Sequence, residues 1–134
     1  MLGAGFSRLA GLPLATTLFP MVKTSIESRH GRETKFHRDL DEYIEYRKKA
    51  DGVELKEHDV DLEALLSYLD IEHFLELRGS DTWSSEGNES QLMIRAAIGE
   101  VIQRQTPPAD KLHPAYYRFA ESLSVHDWVL TFRG

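Results

Sequence analysis

Apolar positions recur at helical spacing along most of the chain. Leu12, Leu14, Leu18, Phe19 and Val22 form a first apolar face. Pro20 interrupts it. An interior proline removes a backbone donor and costs about 3 kcal/mol, so the pattern predicts either a kink or a fresh start with Pro20 at the first helical position. Ser28–Gly31 reads as a loop. A second helix is predicted over Glu33–Ala50, where Phe36, Leu40, Tyr43 and Ile44 fall at i, i+4, i+7 and i+8. Arg47-Lys48-Lys49 suit the negative end of that helix, and Gly52 can take the left-handed conformation that ends it. Val53–His58 reads as a connector. Asp59 or Asp61 can cap a third helix with the stripe Leu62, Leu65, Leu66 and Leu69. Ile71, Phe74, Leu75 and Leu77 carry the stripe on, with Asp70 at a restart or a bend, and Gly79 is a stop signal.

The pattern then lapses. Ser80–Ser90 is polar, aperiodic and glycine-containing, and reads as a surface loop with Trp83 as its one large apolar residue. Periodicity returns in a fourth helix from about Glu89 to Gln105, with Leu92, Met93, Ala96, Ala97, Val101 and Ile102 as its buried positions. Gly99 weakens that helix by about 1 kcal/mol relative to alanine, which points to a close helix–helix contact there. Thr106-Pro107-Pro108 stops it. His113-Pro114 opens a fifth helix, with Tyr117, Ala120 and Leu123 facing inward. Trp128–Phe132 is apolar without alternation, as in strands inside a parallel sheet. Met1 and Leu2 read as the end of another strand, entering a turn at Gly3–Ser7. The expected fold is mostly α, with four to five helices and one or two short parallel strands, in a single domain over residues 1–134.

Composition narrows the class. The 134 residues suffice for one ordinary domain, and 41% hydrophobic with 28% charged content fits a globular chain. No apolar run approaches the roughly 20 residues of a membrane span. No basic segment precedes the opening apolar residues, so a signal peptide is not expected. The absence of cysteine excludes disulfides, thiolate zinc sites and cysteine nucleophiles, and fits a cytoplasmic protein. A net charge of −6 opposes nucleic-acid binding. The six histidines form no His-x-x-x-His pair. Glu72-His73 beside Asp70, and His58 beside Asp59 and Asp61, read as solvated acidic helix starts, and no metal site is assigned. Ser7 lies in Gly-Phe-Ser-Arg, which lacks the serine-hydrolase elbow.

Candidate chemistry gathers at the N-terminus. In Gly3-Ala4-Gly5-Phe6-Ser7 the glycines would let the backbone approach a pyrophosphate, and amides at a following helix start would donate to it. The dinucleotide fingerprint fails at Arg8, which stands where a third glycine belongs. The phosphate-loop pattern fails as well, because no Gly-Lys-Ser/Thr follows.

The run from Gly3 to Pro13 nevertheless resembles the opening motif of sirtuin-like NAD-binding domains, in the branch found in bacterial antiphage defence proteins. Asp61–Leu69 is similar to that branch's acidic-and-leucine helix, and Asp127–Phe132 to its second signature strand. The resemblance implies a Rossmann-like sheet with a helical insertion, NAD as cofactor, and cleavage of the nicotinamide–ribose bond. By position, Gly3, Ala4 and Gly5 would contact the phosphates, Ser7 would lie near ribose or phosphate, and Phe6 and Pro13 would shape the pocket wall. The departures are specific. Thr131-Phe132 is followed by Arg133 where the family carries its catalytic asparagine, and no histidine matches the catalytic one. The resemblance therefore implies a truncated Rossmann-like domain, the N-terminal portion of the family fold, without turnover by itself. The alternative is a non-catalytic helical interaction module that forms a homo-oligomer through exposed strand edges or apolar helix faces.

Overall fold

Helix ends fall where capping and turn residues put them. Asp61 accepts from the amides of Glu63 and Ala64 at 2.8 and 3.1 Å, which fixes it, not Asp59, as the cap of the third helix. Gly52 sits at φ +68° and its amide donates to the Lys48 carbonyl, closing the second helix. His113 caps the fifth through its Nδ1, with Pro114 in the first turn. The structure, a computed structural model, describes residues 4–75, 77 and 89–127. Its α-helices are α1 (Ala15–His30), α2 (Lys35–Asp51), α3 (Leu62–Phe74), α4 (Glu89–Gln105) and α5 (Pro114–Ser122). Short 3-10 helices span Ala4–Ala10, Glu57–Asp59 and Ala109–Lys111.

The expected Rossmann-like α/β domain is not what forms. The described residues form helices joined by turns and loops, with no strand and hence no sheet edge among them. Residues 1–3 and 128–132, read as strands, lie outside the described residues, as do Gly79 and Trp83. The glycine segment winds as a 3-10 helix instead of turning off a strand. That geometry closes its i→i+3 bonds locally and asks for no sheet beside it.

The chain divides into two compact units. In the unit Ala15–Val101 the core takes Phe19, Val22 and Ile26 from α1, and Phe36, Leu40 and Tyr43 from α2. Leu62, Leu65 and Leu69 come from α3, and Ile94, Ala97 and Val101 from α4. α1 runs through Pro20, which is exposed, and extends to His30 where a loop is expected. The buried hydroxyl of Ser90 donates to Asp39 Oδ2 at 2.5 Å, and Lys35 Nζ donates to the same oxygen at 2.7 Å. The Gln91 side-chain amide donates to the Leu69 carbonyl, tying α4 to α3.

Three expected inward faces turn outward. Ile71, Phe74, Leu75 and Leu77 are exposed, so the third stripe leaves the core after Leu69. Leu92 and Ile102 on α4 are exposed as well. Gly99 makes no close contact: a Cβ built there meets nothing within 4 Å.

The second unit comprises residues 1–14 and 102–134. Gly11, at φ +83°, ends the first 3-10 helix, and its amide donates to the Arg8 carbonyl. On α5 the half-buried side is Ala115, Tyr116 and Phe119, whereas Tyr117, Ala120 and Leu123 are exposed. Tyr117 lies outward because its hydroxyl donates to the Ala109 carbonyl, and the Phe6 ring packs edge-on against Tyr116 and Phe119 instead.

Candidate functional site

Of the residues expected to hold NAD, the described ones make local contacts. Gly3 lies outside the described residues, and Ala4, Gly5, Phe6 and Ser7 belong to the 3-10 helix. Phe6 is half-buried. Its ring sits 5.0 Å from the Tyr116 ring and 5.2 Å from the Phe119 ring, centroid to centroid, and its carbonyl accepts from the Tyr116 hydroxyl at 2.5 Å. The Ser7 carbonyl accepts from the Leu12 amide, folding the chain back toward the half-buried Pro13.

A concave surface lies between α2 and α3 among the described residues. It is a groove of about 510 Å³ lined by Tyr43, Tyr46, Arg47 and Asp51 from α2, Ala64, Ser67, Tyr68, Ile71 and Glu72 from α3, and Leu77. Helical spacing builds it. Tyr43, Tyr46 and Arg47 stand at i, i+3 and i+4, and Ala64, Tyr68 and Ile71 at i, i+4 and i+7. The Tyr68 ring packs between the helices, with centroids 5.3 Å from Tyr43 and 5.1 Å from Tyr46. Such tilted aromatic pairs add about 0.5–1.5 kcal/mol beyond their buried area. Arg47 lies 5.9 Å over the Tyr43 ring and donates to the Tyr43 hydroxyl at 3.0 Å and to Asp51 at 2.5 Å. The hydrogen bond to Tyr43, and then that to Asp51, hold the guanidinium above its ordinary pKa. The groove is thus apolar and aromatic with one fixed cation on its rim. It suits recognition of an apolar side chain or helix face.

A second cavity of about 10 Å³, beside Ser25, Arg29 and Glu100, has room for little more than one water. Neither cavity is lined by any residue of Ala4–Pro13.

A hydroxyl–imidazole–carboxylate chain joins α1 to the start of α2. Thr34 Oγ1 lies 2.8 Å from His37 Nδ1, and His37 Nε2 lies 3.3 Å from Glu27 Oε1. Lys23 sits 3.0 Å from the same Glu27 oxygen and 2.8 Å from Glu57. The hydrogen bond from Lys23 holds the Glu27 carboxyl below its ordinary pKa; burial opposes this, and His37 adds to it. Burial works against the Lys23 charge, but hydrogen bonds to Glu57 and Glu27 outweigh it and raise its pKa. Thr34 precedes the first turn of α2, and neither cavity reaches this chain of groups. Its work is to staple the α1–α2 junction. Among the described residues no group of three or more His, Asp or Glu is placed to hold a metal ion, and no helix is long and apolar enough to cross a membrane.

Sequence reading placed Tyr43 in the core and Arg47 near a helix end, as the structure has them, and missed the groove because α3 brings Tyr68 against them only in the folded chain. The available signal was the Tyr43–Tyr46–Arg47 spacing, which puts two rings and a cation on one side of α2. No family model, no curated protein and no solved structure matches the chain.

Proposed function

We propose that this chain is a helical protein-interaction module that self-associates through the outer side of α3. One observation carries the reading. Leu62, Leu65 and Leu69 are buried, yet Ile71, only about 200° further round the helix from Leu69 at 3.6 residues per turn, is exposed together with Phe74 and Leu75. The apolar residues of α3 are spread over more than one side, and those beyond Leu69 have no cover within the described residues. Clustered exposed apolar side chains are a mark of an interaction surface. Sedimentation equilibrium across a wide concentration range tests this. The expected result is a weight-average mass rising above the monomer. A monomer mass at every concentration would falsify the reading.

A second reading rests on the motif from Gly3 to Pro13: NAD, or a related adenine nucleotide, bound at this segment of a sirtuin-like chain. The described helices supply no sheet for it, so its support is the motif itself. A saturable thermal shift with NAD is its expected signature, with nicotinamide release as the readout for the implied chemistry. No shift at millimolar NAD removes this reading and leaves the first intact.

A further inference from the structure

We propose that the groups stapling the α1–α2 junction also form an acyl-transfer centre, with Thr34 as nucleophile, His37 as general base and Glu27 as the residue that positions the base. The inference is independent of self-association. Nucleophilic catalysis by a hydroxyl needs a base within hydrogen-bond reach and a third group that orients the base. Thr34 Oγ1 stands 2.8 Å from His37 Nδ1, and His37 Nε2 stands 3.3 Å from Glu27 Oε1. The order of protons follows from the carboxylate. Lys23 donates to Glu27 and holds its carboxyl below the ordinary value, so at neutral pH it is an ionised acceptor. An acceptor facing Nε2 requires the proton on that nitrogen, which leaves Nδ1 to accept from the Thr34 hydroxyl. That is the tautomer a general base needs.

The surroundings keep this arrangement fixed and reachable. The buried Phe36 ring packs edge-on against the imidazole, with centroids 5.1 Å apart. The His37 and Glu27 side chains are only 16% and 20% exposed, which strengthens the interaction between them. Thr34 is half-buried, and the adjoining Gly31, Arg32 and Glu33 are exposed, so solvent reaches the hydroxyl from the α1–α2 turn. Thr34 stands at the cap position of α2, yet its hydroxyl makes no cap bond. The first amides of α2, those of Lys35 and Phe36, have no intrahelical carbonyl to bond and can donate to an oxyanion. Neither cavity borders Thr34, which limits the substrate to small acyl esters approached from solvent. Thr34 Oγ1 attacks the ester carbonyl while His37 Nδ1 takes the hydroxyl proton and passes it to the departing alcohol. Water then attacks the acyl-threonine, His37 takes the water proton, and the proton returns to Thr34 Oγ1 as the carboxylic acid leaves.

Incubation of the chain with p-nitrophenyl acetate tests this. The expected result is a burst of p-nitrophenol stoichiometric with the chain, with the acetyl group located on Thr34 by tandem mass spectrometry after an acid quench. Acetyl groups confined to lysines, or found on His37 with Thr34 unmodified, would overturn the proposal. Thr34→Val is expected to abolish the burst and Thr34→Ser to retain it. Ser28→Ala, which removes an exposed hydroxyl bound to the Thr24 carbonyl, should leave it unchanged. If Thr34→Val does not fold, the site of acetylation on the parent chain decides alone. Glu27→Gln should slow acylation by about a hundredfold at an unchanged half-saturating ester concentration. An unchanged rate would sink the triad, and a change confined to half-saturation would make Glu27 purely structural.

Discussion

Ser90 has no solvent exposure, so its hydroxyl must find an acceptor inside the protein. It finds Asp39, itself 2% exposed and already bound by Lys35. A buried carboxylate is tolerable only when paired and hydrogen-bonded. Ser90→Ala removes one of those bonds without adding bulk. The expected loss is about 1–3 kcal/mol, read as a lower urea midpoint at unchanged slope; an unaltered midpoint would mean that water replaces the hydroxyl. Glu27 sets a different dependence. Its pKa in the folded protein lies below the ordinary 4.5 because Lys23 donates to it. Between the folded value and 4.5 the unfolded chain binds more protons, so stability there rises with pH. The Glu27 contribution is present above about 4.5 and is lost as pH falls through the folded value. Glu27→Gln should therefore destabilise the protein at neutral pH and flatten the acid side of its stability curve. An acid limb of unchanged steepness would assign that limb to other carboxylates.

The helices themselves were legible in the sequence; which of their apolar residues meet solvent was not. Phe36, Leu40 and Tyr43 announce α2, and it begins two residues after and ends one residue after the expected bounds, because Gly52 enforces the stop. α4 runs over the expected span, yet Leu92 and Ile102 face out. Periodicity tells which residues share a face but not whether a second element covers it. The same limit hid the groove, since Tyr68 reaches Tyr43 and Tyr46 from another helix. The glycine segment misled for a local reason: Gly3 and Gly5 permit a turn, but Ala4–Ala10 closes its own 3-10 bonds. Gly99 misled in the same way. A mid-helix glycine suggested a neighbour pressed close, but open space lies over it. Its helical backbone needs no positive φ, so Gly99→Ala carries no steric cost. The variant should gain up to about 1 kcal/mol from helix propensity, seen as a higher melting temperature. A drop instead would reveal a contact at this surface in the assembled state.

For the whole molecule, the proposed self-association has to overcome like charge. Each copy carries −6 at neutral pH. Two such bodies about 25 Å apart repel by about 6 kcal/mol in unscreened water from Coulomb's law. Raising ionic strength from about 0.01 to 0.15 M shortens the screening length from roughly 30 to 8 Å and reduces that repulsion to well under 1 kcal/mol. Ion pairs between copies would act in the opposite direction, but exposed pairs contribute only about 0–1 kcal/mol each. Relief of the long-range repulsion is the larger effect. Self-association should therefore tighten as salt is added, measured as a falling dissociation constant by sedimentation at two ionic strengths. Association driven chiefly by opposite-charge pairs would give the reverse slope.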